Sequence, residues 1–109
     1  MIIELRGRVA AGRWEDLESF LRKAIPFYEQ PTGIRVRLLR DIGDQDAFVE
    51  VIEYDSEQSY AADQWRVEND PEMIARLEEW RGLLAGPPEV RTFRDVTPRA
   101  TVPEPVPKG

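Results

Sequence analysis

The chemistry open to this chain is bounded first by two missing residue types. Its 109 residues include no histidine and no cysteine. That removes the commonest general base, the commonest metal ligand, the usual proximal haem ligand and every thiol or disulfide. Proton transfer and anion binding then fall to carboxylates, tyrosines and arginines. Glu50 and Glu53 lie three apart in the run AFVEVIEY, so on a strand they point to opposite faces and do not form an acid–base pair. A carboxylate at Glu50, on a central strand, either finds a counter-charge such as Arg37 or has a raised pKa that suits a general base. A salt-bridged structural role is the plainer of the two. Arg6, Arg8, Arg35 and Arg37 form either a bidentate anion site or, more plainly, a charge ladder with Glu4, Glu50 and Glu53 within one subunit or across a dimer. Tyr28, Tyr54 and Tyr60 are the only phenols; each reads more simply as a core-edge residue whose hydroxyl reaches water or backbone. The sequence shows no phosphate-cradling glycine loop, no acid cluster at metal-ligand spacing and no serine beside a base.

The elements that must position these groups follow from periodicity. Residues 1–10 alternate, with Ile3, Leu5, Gly7 and Val9 on one face and Ile2, Glu4, Arg6 and Arg8 on the other, which predicts a half-buried strand. From Arg13 the period becomes helical through Trp14, Leu17, Phe20, Leu21, Ala24, Ile25 and Tyr28, with Pro26 expected to loosen the last turn. Residues 34–40 and 47–54 read as a hairpin around a polar turn at 41–46. Asp55 or Ser56 is placed to cap a second helix that shows a face of Tyr60, Ala61, Gln64 and Trp65. The run Asn69-Asp70-Pro71 breaks that helix and starts another, with a stripe of Met73, Ile74, Leu77, Trp80 and Leu84. Residues 89–96 read as a last strand. The order β-α-β-β-α-β, its second helix broken near Asp70, predicts a ferredoxin-like α+β fold: a four-stranded antiparallel sheet with both helices on one face. The chain divides into one domain over 1–96 and a Pro-rich extended or disordered tail over 97–109. The open sheet face mixes Ile2 and Leu39 with Glu4 and four arginines, a surface that a second copy would cover most economically.

A formal charge of −6 argues against binding nucleic acid or an anionic membrane. No apolar run approaches the roughly 20 residues of a membrane span. A cysteine-free chain with no signal-peptide pattern fits the cytoplasm.

The strand ending before a Gly-Arg helix start, the hairpin, FVEVIEYDSEQSY leading into a helix, the NDPEM break and the last strand together resemble the dimeric α/β-barrel superfamily over residues 1–96. Within it the layout is similar to antibiotic-biosynthesis-monooxygenase-like and NIPSNAP-like domains. The resemblance implies a homodimer through facing sheets and a small pocket between sheet and helices. In the cofactor-free monooxygenases of that superfamily a tryptophan, an asparagine, a tyrosine and an arginine bind a polycyclic aromatic compound. Trp65, Asn69, Tyr60 and Arg91 stand here as the matching substrate-binding candidates, and no cofactor is implied. The haem-degrading branch is set aside, since there is no histidine to ligate iron. Beside this reading, Trp14, Trp65 and Trp80 serve most simply as core packing and Asn69 as a turn residue.

Two functions remain open at this level. One is a homodimeric pocket protein acting as a cofactor-independent monooxygenase on a hydrophobic aromatic compound. The other is a non-catalytic dimeric interaction or regulatory module whose pocket is filled by its own side chains. An open pocket of roughly 300 Å³ or more with convergent polar groups favours the first.

Overall fold

A computed structural model describes residues 1–100. The elements run β1 (Ile2–Arg8), α1 (Trp14–Tyr28), β2 (Ile34–Arg40), β3 (Ala47–Tyr54), α2 (Glu57–Asn69), α3 (Pro71–Gly82) and β4 (Glu89–Phe93). The strands form one antiparallel sheet in the order β2-β3-β1-β4, with helices on one face. This is the expected ferredoxin-like α+β order. No helix among the described residues is long and apolar enough to cross a membrane. Residues 97–100 carry no helix or strand, and the rest of the expected tail, 101–109, lies outside the described residues.

Local chemistry accounts for the boundaries. The Ser56 hydroxyl accepts the Ser59 N–H at 3.1 Å and starts α2. The Asp70 carboxylate accepts the N–H groups of Glu72 at 2.9 Å and Met73 at 3.3 Å, with Pro71 as the first residue of α3; an Asp cap followed by Pro is a strong helix start. At the entry to β2, Gly33 has φ of 91°, and a Cβ there would collide with the Asp55 carboxylate, so only glycine fits. α1 continues through Pro26 rather than loosening there, and Glu29 donates to the Ile25 carbonyl at 2.8 Å just beyond it. Arg66 reaches across from α2 to the last carbonyls of α1, donating to Phe27 at 2.9 Å and Tyr28 at 3.3 Å. Past the end of α1 these carbonyls gain only the Gln30 N–H, on Phe27 at 3.3 Å, so Arg66 caps the helix end and fixes it to α2.

The core lies between sheet and helices: Ile3, Val9, Ile34, Val36, Phe48 and Tyr54 face Leu17, Phe20, Leu21, Ala24, Met73 and Trp80. Other expectations need correcting as well. β4 ends at Phe93 instead of Val96. The inward face of α2 is Tyr60-Asp63-Gln64-Val67, not Tyr60-Ala61-Gln64-Trp65, since Ala61 and Trp65 are exposed. α2 has few apolar residues, so its own pattern does not set its rotation; Asp63 does, by bonding inward to Tyr54.

The opposite sheet face carries the charge ladder, with one member replaced. Arg6 bonds Glu4 at 2.8 Å, Arg37 bonds Glu53 at 2.6 Å, and Arg8 pairs with Asp44 of the hairpin turn. Glu50 is not part of it, because its register partners are Leu5 and Leu38 on the helix face. Leu39 and Phe93 stand exposed among these ion pairs.

Candidate functional site

The helices leave β4 uncovered, and a groove of about 380 Å³ runs between that end of the sheet and α2 and α3. Its floor comes from Ile3, Leu5, Ile52, Val90 and Thr92; its helical wall comes from Tyr60, Asp63, Gln64, Val67, Leu77, Trp80 and Arg81. The groove is mostly apolar with a few polar groups among its walls, the usual constitution of a small-molecule site. Beneath it lies an inner cavity of about 60 Å³ that shares Leu5, Ile52, Asp63, Val67, Leu77 and Trp80 with the groove and adds Tyr28, Ile34, Val36, Glu50 and Met73.

Glu50 dominates this cavity. It is only 4% exposed and its Oε1 has no hydrogen-bond partner in the protein. β3 is an inner strand, so Glu50 is flanked by leucines on both neighbouring strands. Burial pushes its pKa from 4.5 up to about 7, with no neighbouring charge offsetting the cost. The acid is thus poised to exchange a proton near neutral pH. The Arg37 counter-charge considered from the sequence lies on the other face of the sheet, held by Glu53.

Around Glu50 stand Tyr28 from α1, Asp63 from α2 and Trp80 from α3. The hydroxyl of Tyr28 has no partner in the protein, and burial, then the Glu50 charge, raise its pKa, with Arg76 and Arg66 opposing. Asp63 accepts the Tyr54 hydroxyl at Oδ2. Its Oδ1 lies 3.6 Å from Arg66, too far for a direct hydrogen bond. Burial first, and the bond to Asp63 second, raise the pKa of Tyr54. That ring meets Tyr60 edge-on at 5.3 Å, so the Tyr54–Asp63 pair and Tyr60 build one end of the groove together.

The four positions named from the sequence are not brought together. Tyr60 lines the groove. Trp65 is 62% exposed on the outer side of α2, and Asn69 donates to the Trp65 carbonyl at 2.9 Å as a helix-end residue. Arg91 pairs with Glu89 at 2.7 Å on the ladder side of the sheet, in register with Glu4 and away from the groove. The sequence reading passed over Asp63 and took Trp80 only as packing. The signal for Asp63 was its spacing from Tyr60 and Val67, three before and four after, which puts an acid in the middle of a semi-apolar helix face.

A four-stranded antiparallel sheet with helices on one face, the second of them broken before Pro71, defines a ferredoxin-like α+β domain with an open groove beside β4. Solved structures agree. A protein of the antibiotic biosynthesis monooxygenase type from Bordetella bronchiseptica aligns with a TM-score of 0.65 at 24% identity, over 88% of this chain and 96% of that one. One from Nitrosomonas europaea gives 0.73 at 16% identity, over 91% and 92%. SnoaB, a cofactor-independent oxygenase from Streptomyces nogalater, gives 0.68 at 18% identity, over 90% and 96%. At these identities the likeness establishes the fold. No family model and no curated protein matches the chain.

Proposed function

We propose that this chain, as a homodimer, binds a hydrophobic aromatic compound in the groove and oxidises it with molecular oxygen as a cofactor-independent monooxygenase. The observation that carries this reading is an unpaired carboxylate, titrating at about 7, beneath a mostly apolar groove. Oxygen chemistry of this kind needs an electron-rich anion, and a buried acid of that pKa can take up the proton whose loss creates it. The open groove of about 380 Å³ leaves room for a bound molecule beside the sheet.

Anthrone, a three-ring ketone with an acidic methylene, is a suitable probe. Its methylene proton passes toward Glu50, and the enolate gives one electron to O2. The carbon radical and superoxide join through a C–O bond, and the peroxide takes a proton back. Loss of water leaves a second carbonyl. One anthrone and one O2 thus give one anthraquinone and one water. The expected result is equimolar O2 uptake and anthraquinone formation above the buffer rate. Unchanged buffer kinetics, together with no quenching of tryptophan fluorescence by anthrone, would remove the proposal.

The dimer is proposed to form through the ladder face, where Leu39 is 46% and Phe93 40% exposed beside paired charges. Placing an unpaired carboxylate there disfavours association through like charge and desolvation. Leu39→Glu should therefore sediment as a monomer under conditions where the parent chain is a dimer, with its circular dichroism unchanged. A Leu39→Glu dimer would place the contact elsewhere.

A further inference from the structure

Glu50 lines the inner cavity but not the groove, whereas Asp63 and Trp80 line both. A molecule in the groove therefore meets Asp63 and Trp80, with Glu50 one layer below. Four polar atoms of cavity-lining residues have no hydrogen-bond partner in the protein: Tyr28 Oη, Glu50 Oε1, Asp63 Oδ1 and Trp80 Nε1. Buried polar atoms are almost always satisfied, by water where the protein provides nothing. The volume of about 60 Å³ is ample for ordered water, which needs roughly 10–15 Å³ of such space. The chemistry of the set is complementary as well, since Trp80 only donates, ionised carboxylates only accept and Tyr28 does either.

We infer that the inner cavity holds ordered water bonded to Tyr28, Glu50, Asp63 and Trp80, and that this water carries protons between Glu50 and the groove. In one passage the Glu50 Oε1–H bond breaks as a water O–H forms, and that water hands a different proton to Asp63 Oδ1 or to a molecule in the groove; the return passage reverses each bond. Asp63 is held for this exchange by the Tyr54 hydroxyl on its other oxygen. The hydration stands without any assumption about function; the role of the water in catalysis rests on the oxygenase reading.

The test uses Val36, which borders the cavity but not the groove. Val36→Ile puts one more carbon into the water space without altering the groove wall. In the parent protein, a high-resolution crystal structure should show ordered water within hydrogen-bond reach of Glu50 and Asp63. The infrared carbonyl band of protonated Glu50, identified by its loss in Glu50→Gln, should exchange rapidly in D2O. In Val36→Ile the water should be displaced and this exchange slowed by about tenfold or more, with anthrone turnover falling similarly at unchanged KM. Tyr28→Phe, which removes one water partner without adding volume, should also slow the exchange and serves if Val36→Ile does not fold. A dry cavity in the parent protein, or water lost with exchange unaffected, overturns the inference. Water present and exchange fast in a protein that leaves anthrone untouched upholds the relay and counts against the oxygenase reading alone.

Discussion

Glu50→Gln is expected to separate the catalytic and the stability roles of one side chain in opposite directions. Anthrone turnover should fall about a hundredfold or more, the range for loss of a positioned general base, because an amide cannot take up the proton. Stability should rise above neutral pH. The folded protein holds the Glu50 proton up to about 7, whereas the unfolded chain releases it near 4.5. Between those values the native state binds more protons, so native stability falls as pH rises through the window and is level above it. The gap corresponds to roughly 3 kcal/mol, which the neutral glutamine avoids. Tyr28 from α1 faces Glu50, and the charges next to Tyr28 are Arg66 from α2 with Arg76 and Glu79 from α3; Asp63 of α2 shares the cavity. All of these remain in the variant. Urea titrations at about pH 5 and about pH 8 should show a small difference at the lower pH and a gain of about 3 kcal/mol at the higher. Full turnover in Glu50→Gln would reduce Glu50 to a buried structural acid.

Asp63→Ala should be the more damaging change to the fold. It leaves the Tyr54 hydroxyl buried without its acceptor and Arg66 without its carboxylate. Removing one partner of a buried ion pair typically costs about 3–5 kcal/mol. The lower end applies, since Arg66 keeps the Phe27 and Tyr28 carbonyls and lies 4.7 Å over the Phe27 ring. Asp63→Asn retains an oxygen for Tyr54 and should lose only about 1 kcal/mol, the net worth of a neutral bond. Thermal melts of both variants at equal protein concentration make the comparison. Equal losses would show that the charge, not the bond to Tyr54, rotates α2 inward.

That rotation is where the sequence pattern and the structure part. A tryptophan reads as inward and an aspartate as outward, so Trp65 was expected on the α2 face and Asp63 passed unnoticed. The observed order is the reverse, because α2 has little apolar surface to commit and a buried hydroxyl on β3 selects the acid. Arg91 is separated from Tyr60 by a similar circumstance: its register with Glu4 and the alternation of β4 send it to the ladder side.

The alternating strands, the hairpin at residues 34–54, the Ser56 and Asp70 caps and the break before Pro71 are all legible within a few residues of contour. Those features depend on backbone conformation and short-range hydrogen bonds, which local residue types specify. From the order of elements the fold class followed. Tertiary structure alone decided that Glu50 is unpaired and that Tyr28, Asp63 and Trp80 converge on it. That outcome depends on which leucines lie across the sheet and on how three helices rotate against it. A carboxylate's pKa is set by the solvent and charge around it, and those surroundings come from segments distant in the chain.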